Sequence, residues 1–285
     1  MSKTTHTDEG IGPSQVEAFC RDGAVPLKNL IPLSNIKTLR EAVDDLMERP
    51  SPRAKIATAV GDQGRFLEDF CNWSEVDAFR HVALNGPLPA AAAALMGART
   101  VRFYHDHVLV KSGGATTATP WHQDQPYYNI DGRQTVSFWI PLDPVSRDST
   151  LEFLAGSHRG PWLMPRSFAD HEAKWFPEGA LGELPDVEAD RARHRILGWA
   201  LEPGDAVAFH MLTLHAAAGS KTRRRVFSAR YIGEDVRHAP RPWVTSPEFP
   251  GLAETLPAGA PMDHPLFPIA WQAAEKLDGP PLPGR

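Results

Sequence analysis

A chain of 285 residues, 42% hydrophobic and 23% charged, is long enough for one β-barrel or sandwich with helical additions and has an ordinary globular balance. A net charge of -5 and a pI near 6.2 give no basis for nucleic acid or an anionic membrane as partner. The two distant cysteines, Cys20 and Cys71, suit free thiols in a reducing compartment, and no run reaches the roughly 18 apolar residues of a spanning helix; a cytoplasmic chain is expected.

Residues 1–12 are polar and read as disordered. Val16, Phe19 and Cys20 recur at helical spacing before Gly23, a helix stop. A second helix is expected from a Ser34 cap, with Ile36, Leu39, Val43 and Leu46 as its apolar stripe and Pro50 as its limit. Residues 51–75 are mixed and give no clear element. Alanine-rich Pro87–Met96, opened by proline and closed by Gly97, predicts a short helix.

After Gly97 the period changes to two. In Thr100–Lys111, Val101, Phe103, His105, His107 and Leu109 alternate with Arg102, Tyr104, Asp106, Val108 and Val110, as in a strand buried on both faces. Gly113, Gly114 and a Thr-rich loop lead to Trp121-His122-Gln123-Asp124. Further strands are expected at Thr135–Leu142, Thr150–Leu154, Ala206–Phe209, Met211–His215 and Arg224–Ile232. Residues 159–200, with Trp162, Trp175 and Phe176, read as a lid-like insertion. The domain therefore spans 13–245, and a proline-rich tail, 246–285, is fastened to it by Phe249, Leu266, Phe267 and Trp271. Short strands with few helices between them predict a mainly β sandwich or barrel with flanking helices.

His122 and Asp124 are two residues apart, so in extended chain both face one side and can share a metal ion. His215, after a late hydrophobic run, supplies a third ligand; two histidines and a carboxylate on one face are the donor set of non-haem Fe(II) oxygenases. His105 and His107 also share a strand face, but Lys111 stands where an acidic companion would be expected. His210 is five residues before His215 and faces the other way on one strand, whereas the small residues 216–219 leave room beside His215 for a cofactor. His158 reads as structural. Zinc with water on the same ligands, as in a hydrolase, is the competing chemistry, and a non-catalytic metal- or ligand-binding protein is a third reading. An arginine on the inward face of 224–232 favours iron, because a buried guanidinium needs an anion and its fork matches the far carboxylate of a dicarboxylate co-substrate.

Five stretches, His107–Lys111, Trp121–Tyr128, Thr135–Leu142, Leu151–His158 and Leu214-His215 through Arg224–Ser228, resemble in content and order the phytanoyl-CoA dioxygenase family of Fe(II)/2-oxoglutarate oxygenases. The resemblance covers roughly residues 14–245. It implies a double-stranded β-helix (jelly-roll, cupin-like) core, iron on His122, Asp124 and His215, and 2-oxoglutarate held by Arg224, with Arg225 as second candidate. The segment between His215 and Arg224 is shorter than is usual in the family and lacks its common asparagine. Trp139 and His107 fall where the family lines its co-substrate pocket. Halogenating relatives replace the carboxylate with a small residue; this chain keeps Asp124, so hydroxylation of a C–H bond with O2, releasing succinate and CO2, is the expected reaction. The expected substrate is a small organic molecule, with Tyr127, Tyr128, Arg237 and Trp243 as candidates for its entrance.

Overall fold

Strands from both halves of the sequence interleave in a computed structural model that describes residues 10–58, 64–115, 117–164, 181–220 and 222–274. The first third contributes α1 (Pro13–Asp22), β1 (Ala24–Leu27), α2 (Leu33–Glu48), β2 (Lys55–Ile56), β3 (Phe66–Phe70), α3 (Asp77–Asn85) and α4 (Leu88–Met96). The middle contributes β4 (Thr100–Lys111), β5 (Thr119–His122), β6 (Ile130–Asp131), β7 (Thr135–Pro141), β8 (Leu151–Leu154) and β9 (Ile196–Leu197). Then follow β10 (Ala206–Phe209), β11 (His215–Ala217), β12 (Arg224–Ile232), β13 (Arg237–His238), α5 (Leu252–Thr255) and β14 (Ile269–Gln272).

The large sheet has the order β1-β10-β7-β12-β4-β3-β2, with β14 also paired to β4, and the small sheet has the order β5-β11-β8-β9. All these pairings are antiparallel. This is the expected jelly-roll core. Ile36, Leu39, Val43 and Leu46 of α2, with Phe79 and Val82 of α3 and the buried face of α4, pack on Val108, Val110, Phe138, Ile140, Phe227 and Ala229 of the large sheet. One face of that sheet is thereby sealed by helices, and the other is left to face the small sheet.

Several local expectations change. Helix α2 starts at Leu33 after Pro32, whose carbonyl accepts the first helical hydrogen bonds, so Ser34 is not its cap. Cys20 is exposed, leaving Phe19 as the buried apolar anchor of α1. The mixed 51–75 stretch contains β2 and β3, and α3 lies just after it. Strand β4 does not alternate throughout: Arg230 pairs with His105 but Tyr231 with Phe103, so Tyr104 is an extra residue. That bulge returns Val101 and Phe103 to the helix side with Val108 and Val110 and sends Tyr104 to the opposite cluster with Tyr127 and Tyr128. Residues 211–213 form a turn rather than strand, and His215 begins β11 instead of ending a strand.

Of the proposed insertion, Trp175 and Phe176 lie outside the described residues. Its later part is not a free lid, since β9 pairs with β8 and Val187 packs with Trp121, Leu163 and Leu214. In the tail Phe267 is buried and Phe249 and Trp271 pack on the domain, while Leu266 is exposed. Among the described residues no helix is long and apolar enough to cross a membrane.

Gly23 ends α1 at φ 79°, and its carbonyl accepts the backbone N–H of His210 at 2.9 Å and the Thr213 hydroxyl at 2.8 Å, tying that helix stop to the turn before His215. A Cβ there would run into His158 and Thr213, whereas at Gly97, φ 63°, it would meet nothing. Gly97→Ala should therefore cost only the roughly 1–2 kcal/mol of left-handed backbone, and Gly23→Ala should cost more. Urea unfolding midpoints check the ranking; equal losses would mean that no steric clash operates at Gly23.

Candidate metal centre and its cavity

Strands β5 and β11 are paired so that His122 lies directly opposite His215, with ring centroids 4.1 Å apart. His122 Nδ1 is 2.8 Å from the Pro120 carbonyl and His215 Nδ1 is 2.9 Å from that of Thr213. A carbonyl can only accept, so each Nδ1 carries the proton and each Nε2 keeps its lone pair for the site. Asp124 arrives differently from expected. Strand β5 stops at His122, and Asp124 has helical backbone (φ -73°, ψ -46°) at the start of a short 3-10 turn, with its N–H bonded to the Met211 carbonyl. Its Oδ1 then stands 3.7 Å from both Nε2 atoms.

All three residues are buried, and their donor atoms lie within 4.8 Å of one another. Burial, with His122 alongside, pushes the His215 imidazole down to about 3, which keeps it neutral. Burial opposes ionisation of Asp124, but the Arg230 guanidinium beside it outweighs burial and holds the carboxyl well below its usual range. Two imidazole lone pairs and one carboxylate oxygen, converging without a further protein donor among the described residues, fit a divalent iron with positions to spare.

Between the sheets this group opens into a cavity of about 840 Å³, counting space open to solvent. Trp139 and His107 line it, and so do Tyr127 and Tyr128. Arg224 also faces it: the guanidinium stacks over Trp139 at 5.7 Å and donates to the Ser149 carbonyl. Burial lowers Arg224 to about 10, which leaves it cationic at neutral pH. It has no carboxylate partner among the described residues. Arg225, one residue on, points away and is engaged by Asp143 at 2.5 Å and Asp44 at 2.8 Å.

Two expected entrance residues do not line the cavity. Arg237 donates to the carbonyls of Glu234 and Val236 beside β13, and Trp243 donates to the Pro126 carbonyl and borders surface grooves with Arg241. Lys55 and Ser246 line the cavity instead. Sequence reasoning also passed over Glu68, whose Oε1 is 3.3 Å from His107 Nε2, and Arg230 and Ser137, which both reach Asp124. The Phe66-Glu68-Phe70 alternation was the available signal for Glu68. For Arg230 it was the shared face with Arg224.

The model of the family described as phytanoyl-CoA dioxygenase (PhyH) matches residues 19–226. The chain belongs to the phytanoyl-CoA dioxygenase family. The human peroxisomal phytanoyl-CoA dioxygenase is 25% identical over 257 residues, covering 79% of this chain and 69% of that one. Among solved structures, the α-ketoglutarate-dependent carbocyclase SnoK from nogalamycin biosynthesis superposes with a TM-score of 0.70 at 23% identity, covering 91% of this chain and 96% of its own. The epimerase SnoN, in complex with Fe3+, α-ketoglutarate and nogalamycin RO, gives 0.73 at 19% identity, with 90% and 98% covered. This family member is a 2-oxoglutarate-dependent non-haem iron dioxygenase, which decides for iron over zinc hydrolysis.

If the triad is the iron site, His215→Ala should abolish tight Fe(II) binding in anaerobic equilibrium dialysis, while His105→Ala should leave it in place. Retention of iron by the His215 variant would move the site elsewhere.

Proposed function

We propose that His122, Asp124 and His215 hold Fe(II), that Arg224 takes the distal carboxylate of 2-oxoglutarate, and that the enzyme hydroxylates an unactivated C–H bond of a small organic molecule. The observation that carries this reading is the inward, buried guanidinium of Arg224, which shares the triad's cavity and has no carboxylate partner among the described residues. A buried cation of that kind is best matched by an anion brought in from solution, and its planar fork fits a carboxylate. Arg225 is a poor alternative, being already committed to Asp143 and Asp44.

Bound iron would supply the oxygen chemistry, coupling the oxidative decarboxylation of 2-oxoglutarate by O2 to oxidation of the substrate, with succinate and CO2 as co-products. The side chains do the positioning. Trp139 gives Arg224 a flat wall and keeps its head group aimed inward. Leu109, Leu151, Phe209 and Val226 make the surroundings apolar, which strengthens the pairing of guanidinium and carboxylate by excluding water. Phe70, His107, Tyr127 and Tyr128 offer a mixed aromatic and polar surface to the substrate, entered beside Lys55 and Ser246. Nothing in that lining calls for a CoA thioester. A cytosolic setting is part of the same reading, supported by the two free cysteines.

Two measurements test the proposal. Fe(II) followed by 2-oxoglutarate, added anaerobically to metal-free protein, should produce the weak visible charge-transfer band of the chelate. Arg224→Ala should raise the 2-oxoglutarate concentration needed for that band at least tenfold, whereas Arg225→Ala should shift it little; the reverse order would transfer the anchor to Arg225. For the reaction type, a substrate found by succinate release should take up label from isotopically labelled O2. Turnover without label in the product would replace hydroxylation by an epimerisation or ring closure of the kind named for SnoN and SnoK.

A further inference from the structure

Arg230 is nearly fully buried on the inner face of β12, opposite Ser137 of β7 and His105 of β4. Its Nε and Nη2 lie 3.3 and 3.2 Å from Asp124 Oδ2, and the Ser137 hydroxyl donates to that same oxygen at 3.2 Å. Three donors from two strands of the large sheet therefore converge on one carboxylate oxygen. The other, Oδ1, is the one that faces both histidine Nε2 atoms at 3.7 Å. The division is enforced from outside the triad, since Asp124 lies in a turn and no strand geometry fixes its side chain.

We propose that Arg230, assisted by Ser137, is a positioning residue that restricts Asp124 to one metal-binding oxygen. The inference rests on the reading that the triad holds iron. Its chemical consequence concerns the open positions. Two imidazoles and a single carboxylate oxygen occupy three sites of six and leave three for a chelating co-substrate and O2. A carboxylate free to offer both oxygens would take one of those sites. The Arg230 Nη1 has no hydrogen-bond partner among the described residues, and the guanidinium carbon sits 5.9 Å from the Tyr128 ring. Asp124 and the Tyr128 side chain are thus the polar groups that hold this buried cation in place.

Cobalt(II) is the probe, because its visible d–d absorption reports both occupancy and coordination geometry without O2 chemistry. Titrated into metal-free wild type, it should bind with a spectrum that His215→Ala abolishes. Arg230→Met should weaken cobalt binding ten- to a hundredfold, the range typical of lost partners to metal ligands, and should change the d–d band. Ser137→Ala should move both in the same direction by less. Arg230→Lys, which keeps the charge but not the fork, should recover part of the affinity. The melting midpoint of each metal-free variant identifies one that fails to fold, and Ser137→Ala, a small change, then carries the test.

A purely structural Arg230 would lower the melting midpoint and leave the spectrum alone, which overturns the inference. So would cobalt binding as tight as or tighter than wild type in both Arg230→Met and Ser137→Ala. Wild type that binds no cobalt overturns the metal reading itself, and wild type that binds while the Arg230 and Ser137 variants match it overturns this inference alone.

Discussion

The structure depends on a single cross-strand pairing, His122 against His215, at the junction of β5 and β11. Residues directly opposed in an antiparallel pair bring their Cβ atoms to about 4.5–5.5 Å, close enough for two imidazoles to share one ion. The rest of the molecule keeps that pair buried and correctly aimed. Backbone carbonyls of Pro120 and Thr213 fix both tautomers from within the same strand ends, so ring orientation follows from the sheet register. A slip of one residue in β11 would turn His215 to the opposite face, where Leu214 and Ala216 pack against Trp121.

A register of that kind is kept only if the two faces of the sheets differ, and the helices supply the difference. By covering one face of the large sheet with α2, α3 and α4, the chain leaves the other as the wall of a cavity in which polar groups can be placed deliberately. Along β12 the outcome follows from alternation: Phe227, Ala229 and Tyr231 go to the helices, while Arg224, Val226, Ser228 and Arg230 line the cavity. Arg225 leaves by the helix side and pairs with Asp44 of α2. Consecutive arginines thus meet different environments for no reason beyond the period of a strand.

Much of this was legible in the sequence, though not always for the right reason. The strands that carry the cavity have clear period-two signals, and the family pattern named the triad and Arg224. His122 and Asp124 do not share a strand face, because Asp124 sits in a turn; its carboxylate reaches His122 through the hydrogen bond of its N–H to Met211 and through Arg230, 106 positions later. No local pattern can announce such a contact. Glu68 escaped notice because β3 is only five residues long and its neighbours give a mixed signal. The entrance was misjudged because Trp243 and Arg237, conspicuous in sequence, find backbone carbonyl partners outside the cavity.

The bulge at Tyr104 shows how one irregularity serves both the core and the site. Without it, β4 would turn Phe103 toward the cavity and Tyr104 toward the helices. With it, Phe103 stays with Trp73 and Tyr231 on the helix side, and the Tyr104 hydroxyl reaches Asn129 at 2.7 Å. That bond ties β4 to the segment that follows Asp124, and the Tyr104 ring packs on Tyr128. Up to Arg230 the two strands keep the register that holds His105 and Arg230 side by side, and the extra residue falls immediately beyond. The chain on which Asp124 is mounted is therefore gripped at both sides of the carboxylate: by Met211 at its own N–H, and by the Tyr104 cluster four to five residues on. A turn held in that way can present a ligand as firmly as a strand does, while Arg230 approaches the carboxylate from the opposite sheet.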